Sequence, residues 1–147
     1  LPVIKDFLKK VFLVRFCSNT STLLVAGISI NRALKITEDA VDNIVYKGII
    51  SDIDQRVSEG EKISLAMSKH QDYFPSFVIQ MVRVGEETGK LDQVLREVVE
   101  FYQKEIKRTI DLFSALLEPI IIILLGIVIT VLAVSVLSSL YGAIGTL

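Results

Sequence analysis

From Pro119 to the end of the sequence there is no Lys, Arg, Asp or Glu; every charged side chain lies in residues 1–118. The first part of that run, residues 119–140, reads PIIIILLGIVITVLAVSVLSSL. A helix rises about 1.5 Å per residue, so about 20 apolar residues cross the roughly 30 Å hydrocarbon core of a bilayer. Most of the run is Leu, Ile or Val, each favouring lipid by roughly 0.3–0.6 kcal/mol near the bilayer centre. Thr130, Ser135, Ser138 and Ser139 cost little there, because a hydroxyl can bond back to a carbonyl of the preceding turn. A buried core helix of a soluble protein rarely needs so long an uncharged stretch, and the C-terminal position excludes a signal peptide. The chain therefore reads as two parts that meet at Glu118-Pro119, a charged part in water and one helix in lipid.

The flanks give a direction. Lys104, Lys107 and Arg108 lie within 15 residues of the run on its N-terminal side, and nothing basic follows it. The positive-inside rule then puts residues 1–118 in the cytoplasm, residues 119–141 across the membrane and residues 142–147 outside, with Tyr141 at the far interface. The sequence opens on Leu1 rather than Met, which reads as a piece of a longer protein with membrane segments upstream.

The charged part is long enough for one domain with a core. Its 16 basic and 17 acidic residues nearly balance, so no basic field points to nucleic acid. The single Cys17 cannot form an intramolecular disulfide and sits in an apolar run that suits a buried thiol.

No stretch alternates long enough for a strand; the periodicity is helical throughout. Residues 3–12 form a weakly amphipathic lead-in with Lys5, Lys9 and Lys10 on its polar side, suiting a membrane surface or a solvated face equally. A helix from Arg15 to Val25 is closed by Gly27. A second runs from Ile30 to Val41, with Ala33, Leu34, Ile36 and Ala40 facing inward. Asn43 caps a third, in which Ile44, Tyr46, Ile49, Ile50, Ile53 and Val57 recur at three and four before Gly60. A short helix follows over residues 63–67. Pro75 suits the first turn of a fifth helix carrying Phe77, Val78, Met81 and Val82, which ends in the turn Gly85-Glu86-Glu87-Thr88-Gly89. The last helix carries one apolar stripe from Leu91 through Val94, Leu95, Val98, Phe101, Tyr102, Ile106, Ile110 and Phe113 to Leu117. Glu100 with Lys104 and Lys107 with Asp111 are spaced for i,i+4 ion pairs. Short connections between about six helices imply an all-α, up-and-down six-helix bundle followed by one transmembrane helix.

Several motifs invite chemistry and fail it. Gly85-Glu-Glu-Thr-Gly89-Lys90-Leu91 is one residue short of a phosphate-binding loop. It has Leu91 where a Ser or Thr would hold magnesium, and two glutamates that repel phosphate. Asp52-Ile-Asp54 begins like a calcium loop, but Arg56 and Val57 occupy the next ligand and glycine positions. Asp52 and Asp54 read as solvated charges and His70 as a surface residue. No nucleophile–base pair, metal cluster or cofactor site is visible, so catalysis and cofactors are not expected. A tight turn accounts for Gly85 by close approach, for Gly89 by positive φ, and for Glu86 or Glu87 by amide capping. Glu118, directly before the span, suits the interface near the helix's positive end, or a partner. A membrane-anchored helical signalling module is the alternative reading. It would show long heptads, and the helices here are short.

Taken together, Arg15-Phe16 with Thr20, Leu23, Leu24, Gly27, Ile28 and Ile30, then Ala33-Leu34, residues 58–64, Phe74-Pro75, residues 85–91, Leu95, Phe101-Tyr102 and Glu118-Pro119 occur in a family order and spacing. The sequence resembles the platform proteins of type II secretion and type IV pilus machines, which carry a paired F domain. Ser138-Ser139 stand where the family often has a proline. The resemblance implies a six-helix cytoplasmic domain over residues 15–118, present twice per protein with three membrane spans, this chain being the second copy and last span. It implies a non-enzymatic, mechanical role in the bacterial inner membrane, coupling a cytoplasmic hexameric ATPase to pilin or pseudopilin subunits. The implied partners are that ATPase, pilin transmembrane helices, other inner-membrane assembly proteins, a second copy of the protein, and lipid. The implied contact residues are Gly85, Glu86, Glu87, Gly89, Leu91, Glu118 and Pro119.

Overall fold

The computed structural model describes residues 1–146, and among these every regular element is helical: α1 (Pro2–Val25), α2 (Ile30–Asp39), α3 (Ile44–Ser58), α4 (Ile63–Ser68), α5 (Ser76–Thr88) and α6 (Leu91–Gly145). The chain divides into two compact units, Leu1–Ile106 and Lys107–Leu147.

In the first unit each helix from α2 to α5 packs on the one before it. The core takes Phe12, Leu13, Phe16 and Cys17 from α1, Leu34 from α2, Ile50 and Ile53 from α3, and Met67 from α4. Phe74, then Val78 and Val82 of α5, then Leu95 and Val98 of α6 complete it. Aromatic rings knit part of it: Phe12 stacks on Tyr46 at 4.3 Å between centroids, and Phe16 meets Phe74 at 5.3 Å, close to edge-on. Burial pushes the Cys17 thiol up to about 12, so it stays protonated and unreactive at neutral pH.

The helix boundaries follow local chemistry. Asn43 accepts from the N–H groups of Val45 and Tyr46, the N-cap expected of it. After α1 the Ile28 N–H reaches back to the Leu23 carbonyl, and after α3 the Glu61 N–H reaches the Arg56 carbonyl, so the last turns close on themselves. Pro75 stands at the N-cap of α5 rather than inside its first turn.

Five expectations are corrected. The helix expected from Arg15 begins at Pro2, because nothing between Val3 and Val25 stops it: there is no Gly, no Pro and no capping side chain that bonds. Residues 85–88 are the last turn of α5, not a loop; only Gly89 leaves the helix. Glu118-Pro119 is not a helix boundary, since α6 continues through Pro119 to Gly145. Proline's fixed φ is a helical value, so the helix loses one N–H there without having to stop. The apolar stripe of α6 is buried only as far as Tyr102; Phe101, Ile110, Phe113 and Leu117 are exposed, as are Phe77, Ile36, Ala40 and Ile44. The core of the first unit has no helix to lay against them. Neither Glu100 with Lys104 nor Lys107 with Asp111 comes within ion-pairing distance among the described residues, whereas Arg96 lies 3.7 Å from Asp92 on the same helix.

The second unit is the rest of α6. It holds the one helical stretch among the described residues that is long and apolar enough to cross a membrane, and none of that stretch is buried. Thr130 returns its hydroxyl to the Gly126 carbonyl at 2.7 Å, as expected of a hydroxyl in an apolar helix.

Candidate functional site, the junction of α5 and α6

Residues 85–91 turn the chain from α5 into α6, and each does something different there. Gly85 is buried in the last turn of α5. A Cβ on it would lie 3.1 Å from the Leu91 Cα and 3.1 Å from the Val94 side chain, so only glycine lets the two helices approach this closely. Gly89 has φ +70°, the left-handed conformation that ends a helix, and the Lys90 N–H returns to the Gly85 carbonyl at 2.9 Å. Leu91 opens α6 and packs against the core.

The two glutamates have separate roles. Glu86 is half-buried, and its carboxylate accepts from the Ser64 N–H at 3.1 Å and the Ser64 hydroxyl at 2.6 Å. It therefore supplies the start of α4 with an acceptor from another helix. Glu87 is exposed. The junction is held from the other side by Ser21 of α1, whose hydroxyl donates to the Asp92 carbonyl at 3.1 Å. Glu118 and Pro119 are both exposed and belong to the second unit.

The sequence suggested Glu86 as an amide cap but not its partner. Ser64 is 22 residues away, and the only trace of the pairing was a carboxylate beside apolar positions. A second cluster was read as solvated charge and is not. His70 Nε2 lies 2.7 Å from Asp52 Oδ2, and Arg56 Nε donates to the same oxygen at 2.9 Å. Arg56 also lies 3.6 Å from Glu61. These groups tie α3 to the turn after α4. The hydrogen bond from His70 and the Arg56 guanidinium together hold the Asp52 carboxyl below its usual range, against the opposing effect of burial.

Chemically, the junction offers a rigid corner with one exposed carboxylate. Among the described residues no group of three or more His, Cys, Asp or Glu is placed to hold a metal ion. No loop at residues 85–90 cradles a phosphate, because residues 85–88 are helix.

Comparison with known proteins agrees with the resemblance read from the motifs. The family model described as type II secretion system (T2SS), protein F, matches residues 16–138. The type IV pilus assembly protein PilC of Thermus thermophilus is 33% identical over 147 residues, covering 100% of this chain and 36% of that protein. PilC of Pseudomonas aeruginosa is 34% identical over 129 residues, 88% of this chain and 34% of the relative. The type II secretion system protein F of the same organism is 25% identical over 137 residues, 93% of this chain and 34% of the relative. The chain thus spans about a third of the length of the curated relatives it matches.

Proposed function

The chain belongs to the type II secretion system protein F family, and on that premise we propose that it serves as one helical F domain and one adjoining span of an inner-membrane platform protein in pilus assembly or secretion. In this reading residues 1–118 lie in the cytoplasm, with the expected domain over residues 15–118 extended at its start to take in Phe12 and Leu13 of the up-and-down bundle, residues 119–141 cross the membrane and residues 142–147 lie outside. The platform hydrolyses nothing itself. It contacts a cytoplasmic hexameric ATPase through the bundle. Through its spans it contacts pilin or pseudopilin helices, other assembly proteins and a second copy. Lys104, Lys107 and Arg108 support the orientation, being basic and on one side of the charge-free run.

The observation that carries this reading is α6. Its first turns pack into the core through Val94, Leu95, Val98 and Tyr102, and the same helix continues into a charge-free stretch with no buried residue. A helix so built can bind a partner at one end and lipid at the other. The junction that starts it is the natural place for a partner to act, and Glu87 is the exposed carboxylate there, with no hydrogen bond or ion pair among the described residues.

The test is Glu87→Arg in the full-length protein of a piliated or secreting host. We expect filament assembly or secretion to be lost while the thermal midpoint of the purified protein and the ATPase rate stay at wild-type values. Normal assembly in Glu87→Arg removes the junction from the contact surface. Glu86→Gln is the structural control: it should lower the thermal midpoint, since it weakens two hydrogen bonds to a charged acceptor.

A further inference from the structure

Between α1 and the connection from α2 to α3, the surface of the first unit opens into a groove of about 320 Å³. Leu8, Val11 and Phe12 line it from α1, and Val41 and Tyr46 line it from the other side. Phe12 stacked on Tyr46 ties the two sides together. Leu8 is 50% exposed and Val11 half-buried, so apolar side chains here still meet water. Two charged side chains line the same groove, Arg15 of α1 and Asp42 of the connection. Both are exposed, and neither side chain makes an ion pair or hydrogen bond among the described residues.

Beside the groove stands a projection. Ile44, the first residue of α3, falls between the groove residues Asn43 and Tyr46 and is 86% exposed; Val45 after it is 56% exposed. The Asn43 cap fixes this first turn, so Ile44 is held out on a rigid support although the core gains nothing from it. The face thus carries both halves of two contacts: an apolar projection with an apolar groove, and a free anion with a free cation. Asp42 is two residues from Ile44, so a groove that receives Ile44 meets Asp42 as well. A groove of the same kind offers Arg15 to it. An unrelated partner would call for only one half of each contact. A patch that complements itself is what a two-fold contact requires, since each copy shows the same residues to the other.

We infer that a second copy of this chain docks on this face across a two-fold axis, with Ile44 of each copy in the groove of the other and Asp42 of each paired with Arg15 of the other. The apolar contact supplies the attraction; the two ion pairs set its register and exclude wrong pairings. The inference rests on the proposed function only in taking a second copy as a partner. All the residues it uses lie between Leu8 and Tyr46, inside the first unit, so it is independent of how α6 is disposed beyond Ile106.

The test co-expresses two differently tagged copies of the full-length protein and reads their co-purification in mild detergent. The parent copies should co-purify. Arg15→Asp in both copies, or Asp42→Arg in both, sets like charges against each other at both ion pairs, and co-purification should be lost. Ile44→Lys in both copies should lose it too, and a side chain 86% exposed is replaced without disturbing the fold. One copy with Arg15→Asp and one with Asp42→Arg should co-purify again, because both pairs then regain opposite charges. Unfolded variants could not give that recovery. The inference is overturned if the parent copies do not co-purify, or if co-purification survives either charge reversal, which would put the second copy elsewhere. It is overturned equally if the mixed pair fails to recover. None of these outcomes reads filament assembly or secretion, so the platform reading stands or falls separately, on Glu87→Arg.

Discussion

At the scale of single residues, the junction separates two kinds of glycine that look alike in sequence. Gly85 is needed for space and Gly89 for conformation. In Gly85→Ala the new methyl group meets the Leu91 backbone, which has no flexible end to swing aside, so α6 must shift at its start. Overpacking of this kind costs about 1–3 kcal/mol. In Gly89→Ala nothing lies within 4 Å of the new Cβ, but φ of +70° remains unfavourable for it, at a cost of about 1–2 kcal/mol. The two losses are therefore similar, and the distinguishing variant is asparagine. Gly89→Asn should recover most of the stability of the parent, because Asn tolerates the left-handed region, whereas Gly85→Asn should be worse than Gly85→Ala. Denaturant midpoints of the four variants check this, and equal loss in Gly89→Asn and Gly89→Ala would count against conformation as the role of Gly89. Residue chemistry of this local kind was legible in the sequence, as was the Asn43 cap. Pairings across the fold were not. Glu86 with Ser64 and Asp52 with His70 join residues 22 and 18 positions apart, and neither serine nor histidine carries a local mark of its partner.

At the scale of elements, the Asp52 cluster predicts a pH dependence. Asp52 is on α3 and His70 in the turn after α4, so their bond fixes two elements. The Asp52 carboxyl titrates below its usual value of 3.8 in the folded protein. A group depressed on folding contributes stability that is full above its unfolded pKa and is lost as pH falls through the folded one. The gap in urea midpoint between the parent and Asp52→Asn should therefore be constant at neutral pH and close as the pH falls below about 3.8. A gap that persists unchanged into acid would exclude Asp52 as its source. A second element prediction concerns α6. Pro119 offers no N–H to the carbonyl of Ala115, one turn back, so the helix is locally short of one hydrogen bond. In Pro119→Ala that bond forms, and amide exchange around residues 112–119 should slow. If the platform needs α6 to flex there, assembly falls in the same variant although the helix is firmer; unchanged assembly would mean that a continuous stiff helix suffices. Helix existence was readable from periodicity and stop signals. That the last bundle helix and the charge-free run are one helix was not readable, because a proline before an apolar run fits a helix start as well as a helix that continues through it.

At the scale of the whole molecule, the apolar stripe of α6 shows why the pattern alone misled. Periodic apolar residues state that a face avoids water but not what covers it. Up to Tyr102 the cover is the core; from Ile110 onward the described residues supply none, and the same side chain types become candidates for lipid and partner helices. Charge, not periodicity, marks the change. It also carries the proposed direction of insertion, in which the basic residues at 104, 107 and 108 stay on the cytoplasmic side and the uncharged end crosses. Single cysteines test this in intact cells and inverted vesicles with a membrane-impermeant maleimide, since the buried Cys17 stays silent. Thr146→Cys should label from outside the intact cell. Ser58→Cys, exposed after α3, should label only once the cytoplasmic face is opened. Labelling of both from one side would mean that α6 does not cross. The reverse pattern would put the junction of α5 and α6 outside, away from any cytoplasmic ATPase, and would end the proposal that Glu87 faces one.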